Sequence, residues 1–181
     1  MVRTTIHLIR HELTQANIEC RYIGWTDQSI IRKVSVDMAF APNVIYGSDL
    51  KRCEETAACY FPNVPFKANA QLRETNFGDF EMKTYNELQH NPLYRAWIDD
   101  PLSVEPPNGE SLKAFNTRIL TAFQELIKGK EEVTCIVHGG VIKSILANYL
   151  YKAFHDVHVA HRTIYTFVLD GGETCISYSE A

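Results

Sequence analysis

The chain has 181 residues, of which 45% are hydrophobic and 22% charged, so it reads as one domain over residues 1–181, able to bury a core without a metal or disulfide staple. A formal net charge of −4 argues against a nucleic-acid binder that works by bulk electrostatics, although a few convergent arginines can still receive a phosphate. Cys20, Cys53, Cys59, Cys135 and Cys175 are scattered without a Cys-x-x-Cys pair, the pattern of free thiols in a reducing cytoplasm.

Thr5 to Ile9 is a short apolar run expected to form a buried strand, and it stops at Arg10-His11 before turning polar through Thr14 and Asn17. The run is too short and too soon polar for a signal peptide or membrane span, so a cytoplasmic protein without membrane partners is expected. Ile18 to Asp27 reads as loop. Ser29 to Phe40 carries Ile30, Ile31, Val34 and Met38 at helix-like spacing, which predicts a helix ended by Pro42. Asn43 to Tyr46 is a second strand, and Gly47 to Leu50 offers caps for a helix through Lys51 to Tyr60. Arg52 then lies in the first turn of that helix, where free N–H groups and the dipole attract anions.

Phe66 to Ala68 reads as a short strand, and Gln71 to Phe80 as a polar loop carrying Arg73, Glu74 and Asp79. Tyr85 to Asp99 suits two short helices interrupted at Pro92, and Pro101 to Gly109 a loop. Glu110-Ser111 opens the longest amphipathic helix, with Leu112, Phe115, Ile119, Phe123 and Ile127 at the helical period. Val133 to Val137 is a third buried strand ending at His138-Gly139-Gly140, with another helix directly after it. Thr163 to Leu169 and Thr174 to Ser179 form a terminal hairpin turning at Asp170-Gly171-Gly172. Strands separated by helices predict an α/β fold, with helices on both faces of a largely parallel sheet.

Ligands of such sheets bind beyond the carboxyl ends of the strands. Arg10-His11, the Ser48 to Arg52 turn and His138-Gly139-Gly140 all fall there, and Glu74 lies in a neighbouring polar loop. Two arginines, two histidines and a carboxylate suit phosphoryl transfer from a monoester. Arginines bind the phosphate oxygens, one unprotonated histidine attacks phosphorus, the other donates a hydrogen bond, and the carboxylic acid protonates the leaving alkoxide.

Leu8-Ile9-Arg10-His11 with Thr14 and Asn17 resembles the opening motif of the histidine phosphatase superfamily, whose members include cofactor-dependent phosphoglycerate mutases and broad phosphatases. Gly24-Trp25-Thr26-Asp27, Ser48 to Arg52 with Glu55-Thr56-Ala57, Leu72-Arg73-Glu74 with Phe77-Gly78, Pro107 to Ser111, and His138 to Ile142 are similar to its later blocks, in order along most of the chain. The resemblance implies a phosphoglycerate mutase-like three-layer α/β/α fold. It implies His11 as the nucleophile that becomes phosphohistidine, and Glu74 as proton donor and then base. Arg10, Arg52 and His138 would hold the phosphate, with Asn17, Ile23, Gly24 and Gly139 in the substrate-binding set. No metal or other cofactor is implied.

The expected partner is a small phosphorylated substrate; the similarity of the Leu72-Arg73-Glu74 and Phe77 to Glu81 blocks to small bacterial members of the family implies α-ribazole 5′-phosphate as the specific candidate, with no nucleic acid and with a homodimer allowed. A mutase is disfavoured because the chain lacks long insertions over the site. This sequence departs from the family pattern at Glu12, where a small residue is usual, at Met82, where glycine is frequent, and in a shortened stretch between Asp27 and Ser48. Glu12 motivates an alternative: a phosphate-ligand binding module with little turnover, if its carboxylate faces the phosphate rather than Arg21, Arg32 or solvent. His155-x-x-His158-x-x-His161 lacks convincing companion ligands and is not taken as a metal site. His7 is read as a packed strand residue, Asp79 and Glu81 as solvated loop charges, and Trp25, Tyr94 and Trp97 as either rim or core.

Overall fold

In the computed structural model, which describes residues 3–181, a six-stranded sheet of order β3-β2-β4-β1-β5-β6 forms the centre. The strands are β1 (Arg3–Arg10), β2 (Ile45–Gly47), β3 (Phe66–Ala68), β4 (Glu132–Val137), β5 (Ile164–Asp170) and β6 (Thr174–Glu180). The first four are mutually parallel, and the β5–β6 hairpin adds two antiparallel strands beside β1. The helices are α1 (Gln15–Ile18), α2 (Lys51–Tyr60), α3 (Tyr85–Leu88), α4 (Pro92–Asp99), α5 (Leu112–Ile127) and α6 (Gly139–Tyr149). The fold is thus the expected α/β arrangement with a mostly parallel sheet. The expected domain span of 1–181 includes two residues outside the described ones.

Successive residues of β1 point to opposite faces, so Leu8 and Ile9 enter different cores. Ile6 and Leu8 meet Phe115, Ile119 and Phe123 of α5 and Ile142 and Leu146 of α6. Ile9 joins Ile45, Ile136 and the Cys53, Ala57 and Tyr60 face of α2. Two helices therefore cover one face and α2 the other, burying both sides of the central strands. A third cluster of Phe80, Leu88 and Tyr94, flanked by Tyr22, Phe77 and Trp97, fastens the 71–100 segment. Tyr94 is core, Trp97 both packs here and faces a cleft, and Trp25 stays 40% exposed. Among the described residues, no helix is long and apolar enough to cross a membrane.

The helix expected over Ser29 to Phe40 does not form; the stretch is irregular apart from an isolated bridge between Thr14 and Ile30. Val34, Val36, Met38 and Phe40 are half-buried and alternate with exposed neighbours, a period of two in place of 3.6. Val36, Met38 and Phe40 pack on the α2 side of the sheet, and Phe40 stacks on the His7 ring at 4.0 Å between centroids. His7 is the packed residue expected, its Nδ1 2.9 Å from Thr166 Oγ1.

The α2 cap also differs from expectation. The N-cap is Leu50 without a side-chain bond, and Asp27 Oδ1 accepts from Lys51 N at 2.9 Å instead. Met82 adopts φ +61°, in the left-handed region that favours glycine, which accounts for the glycine expected there. Glu12 is not among the left-handed residues, so its side chain meets no backbone penalty of that kind.

Candidate active site

Parallel register builds the site. Arg10 pairs with Val137 and Gly47 with Ile136, so the carboxyl ends of β1, β2 and β4 finish level. His11 N then donates to Val137 O at 2.9 Å, and the next residue of β4's chain is His138. The two rings meet edge to face, 5.1 Å between centroids. His11 is 3% exposed, and Arg52 and His138 are fully buried.

His11 Nδ1 lies 2.7 Å from the Glu12 carbonyl oxygen, which can only accept. The Nδ1 proton is therefore fixed there, and Nε2 is left as the basic nitrogen. Burial, followed by Arg52, holds the His11 pKa well below the ordinary histidine value; Arg10 and His161 push the same way, and only the Glu12 carbonyl opposes. His138 is lowered well below the ordinary value by burial, Arg52 and His11. Both rings are accordingly neutral at neutral pH.

Arg52 lies in the first turn of α2 as the sequence indicated, held by buried acceptors. NH2 donates to Gly24 O at 2.6 Å, NH1 to Thr26 O at 2.9 Å, and Nε to His138 Nδ1 at 3.3 Å. With Nδ1 accepting, the proton of His138 sits on Nε2, 3.6 Å from Cys53 Sγ. Both ring nitrogens of His138 are thus engaged within the protein, where it orients Arg52 and walls the His11 ring. Burial pushes the Cys53 thiol up to about 12, so it is not a competing thiolate.

Arg10 NH1 donates to Val159 O at 3.0 Å, while its buried Nε has no partner. The guanidinium lies against Gly139, where a Cβ would come within 3.3 Å of Cζ and Nε. Glu74 occupies the same helix mouth: Oε2 accepts from Gly140 N at 2.8 Å and Oε1 from Thr75 N at 2.9 Å. Glycines at 139 and 140 are what let these two side chains approach the start of α6. Arg10, Glu74, Gly139 and Gly140 line one end of a cleft of about 800 Å³.

Supporting residues went unrecognised in the sequence. Glu81, expected to be solvated, accepts from Gly24 N, Trp25 N, Thr26 N and Phe77 N at 2.9–3.1 Å and from Thr26 Oγ1 at 2.7 Å. It thereby shapes the loop whose carbonyls grip Arg52, and Ile23 is buried at its base. Arg118 forks onto Glu110 at 2.7 and 2.9 Å and donates to the carbonyls of Gln71 and Arg73, fixing the loop that presents Glu74. Arg73 turns away from Glu74 to a two-pronged pair with Asp49. Asn17 accepts from Thr14 N and Oγ1 as part of the α1 capping box, which occupies its carbonyl oxygen.

Glu12 and His161 depart most from expectation. The Glu12 carboxylate reaches neither Arg21 nor Arg32 but is buried between Tyr60 OH and Arg162, with Arg162 Nε 3.0 Å from Oε1. Burial opposes its charge, but the hydrogen bonds from Arg162 and Tyr60 prevail and hold its pKa below the usual carboxylate range. His161 Nδ1 is 2.9 Å from His11 O, while His155 and His158 line the cleft. Among the described residues, no three His, Cys, Asp or Glu side chains are placed to hold a metal ion.

The adenosylcobalamin/α-ribazole phosphatase of Escherichia coli K12 is 28% identical over 158 residues, 77% of this chain and 76% of that one. Phosphoglycerate mutase-like protein 4 of Arabidopsis thaliana is 30% identical over 160 residues, 77% of this chain and 68% of its own. The crystal structure of the α-ribazole phosphatase from Shigella flexneri superposes with a TM-score of 0.82, covering 94% of this chain and 93% of that one at 23% identity, and so shares the fold. The family model for the histidine phosphatase superfamily (branch 1) matches residues 6–179, and the chain belongs to that superfamily.

Proposed function

We propose that the protein is a phosphomonoesterase that works through a phosphohistidine on His11, without a metal. The observation that carries this reading is the tautomer: the Glu12 carbonyl holds the Nδ1 proton, leaving Nε2 as a base that burial and two guanidinium groups keep unprotonated. Membership of the superfamily supports phosphatase activity.

In the first step His11 Nε2 attacks phosphorus in line, forming N–P as P–O breaks. Arg10 and Arg52 neutralise charge on the equatorial oxygens, each contact contributing about 1.5–3 kcal/mol. The buried, unpartnered Nε of Arg10 is available for this. Glu74, in its acid form, protonates the departing alkoxide. In the second step Glu74 takes a proton from water, whose oxygen attacks phosphorus as N–P breaks, giving inorganic phosphate and free His11. Asn17 Nδ2 and Gly139 complete the proposed phosphate cradle, whereas His138 and Gly24, expected as direct phosphate ligands, have their polar groups taken up inside the protein and support the cradle by holding Arg52.

The cleft beyond Glu74 bears on the leaving group. Phe77, Trp97, Leu112, Phe154 and Tyr165 line it, which suits a flat, largely apolar body. α-Ribazole 5′-phosphate fits that description and accords with the name of the E. coli relative. The binding-module alternative rested on Glu12 facing the phosphate, whereas Tyr60 and Arg162 take up that carboxylate. Phosphate release from an aryl phosphate and a panel of metabolite monoesters, with chelator present, tests the reading. Turnover in chelator, fastest on an aromatic-bodied monoester, is expected. Binding of monoesters without release would overturn it.

A further inference from the structure

Residues 157–163 run between α6 and β5 and pass beside the end of β1. Val159 O accepts from Arg10 NH1 at 3.0 Å, His161 Nδ1 donates to His11 O at 2.9 Å, and Arg162 pairs with Glu12. Three strap positions thus contact three consecutive residues, two of which are the proposed phosphate ligand and nucleophile. The strap has few other anchors: Val157 is buried, and Ala160 N donates to Tyr165 OH at 2.7 Å.

The Arg162–Glu12 contact is the charged one among these attachments, joining the strap to α2 as well as to β1. Arg162 Nε and NH2 lie 3.0–3.4 Å from the two carboxylate oxygens, and Tyr60, from the last turn of α2, donates to Oε1. Glu12 N donates to Thr56 Oγ1 at 2.9 Å, one turn earlier on α2. Glu12 is 2% exposed, so removing either partner leaves a buried charge short of hydrogen bonds. Arg162 itself adopts φ +62°, in the left-handed region that residues with side chains occupy infrequently.

We propose that Glu12, with Tyr60 and Arg162, forms a clamp of positioning residues that holds the 157–163 strap, so that Val159 aims Arg10 at the phosphate and His161 fixes the backbone of His11. This rests on the phosphatase reading of the site. It gives a physical reason for a carboxylate at a position where a small residue is expected: the charge is turned to the α2 side and spent on the strap.

Arg162→Met removes the ion pair, Arg162→Lys restores the charge without the fork, and Tyr60→Phe removes only a hydroxyl; Arg162→Met combined with Glu12→Gln also removes the buried charge, which keeps loss of the clamp distinct from misfolding. Arg162→Met should raise KM for an aryl phosphate and Ki for inorganic phosphate about fivefold or more, with a smaller change in kcat, because Arg10 acts in binding phosphate. Arg162→Lys should recover part of the loss. Adding Glu12→Gln to Arg162→Met should cost less than about a further twofold, since the two act as one unit. Amide exchange of residues 157–163 should speed up about tenfold in Arg162→Met and Tyr60→Phe. KM and Ki within twofold of the parent protein, or unchanged exchange in the strap, would overturn the clamp. If the parent protein neither turns over monoesters nor binds phosphate, the phosphatase reading fails by itself, and strap exchange alone then decides the clamp.

Discussion

Gly140→Ala separates the chemistry of Glu74 from the stability of the fold. A Cβ at position 140 would stand 2.2 Å from Glu74 Oε1, 3.0 Å from Cδ and 3.2 Å from Oε2. Non-bonded atoms settle near 3.5 Å, so the carboxyl group must retreat by roughly 1 Å and surrender its bond from Gly140 N. The obstacle is the end of a flexible side chain, so the backbone can stay in place. Alanine in α6 gains about 1 kcal/mol of helix propensity, against about 1 kcal/mol for the lost hydrogen bond. The thermal midpoint should therefore move by less than about 4 °C.

A proton donor displaced by 1 Å costs on the order of a hundredfold in rate. We therefore expect kcat/KM for an alkyl phosphate to fall about a hundredfold and that for nitrophenyl phosphate less than about tenfold, because a nitrophenolate leaves with little help. Equal losses on the two substrates, or none on either, would refute the assignment of Glu74 as the acid.

Two further outcomes follow from buried groups. His11 and His138 have pKa values well below the unfolded value of about 6.5, so below that pH the unfolded chain binds protons that the folded chain refuses. Stability should thus be fully present above pH 7 and fall as the pH drops through the unfolded histidine value toward 5.5; urea melts showing constant or rising stability on acidification would contradict the burial of these rings. Arg52→Met leaves the carbonyls of Gly24 and Thr26 and the His138 Nδ1 without their donor. A loss of about 3 kcal/mol or more is expected in urea melts, as well as loss of phosphate binding, and a change below about 1 kcal/mol would show that the loop does not depend on Arg52.

The sheet and its helices were legible because their patterns are strong. Leu8 and Ile9, Val133 to Val137 and the Phe115-Ile119-Phe123 stripe each have one physical solution once a core must form, and the structure has all three as strand, strand and helix. The helix expected over Ser29 to Phe40 does not form: Val34, Val36, Met38 and Phe40 at every second position also supply apolar residues at helical offsets. Burial on the sheet, visible only in three dimensions, selects the period of two. Arg10, His11, Glu74 and His138 could be nominated from strand ends and local motifs. The residues that organise them could not, because their partners are remote in sequence: Glu81 bonds to residues 24–26, and Glu12 to residue 162. In the sequence His161 belongs to the His155 and His158 series, and only the path of the strap brings it to His11. No spacing rule encodes such pairings, whereas an unusual residue such as Glu12 inside a motif is a signal that a compensating partner exists elsewhere.

The most direct measurement is to trap the intermediate. Brief reaction with a labelled phosphate monoester, quenched in alkali to preserve the acid-labile N–P bond and followed by peptide mapping, should place one phosphoryl group on His11. His11→Ala should lose both label and turnover. Label on a different residue, or full turnover by His11→Ala, would contradict the proposed nucleophile.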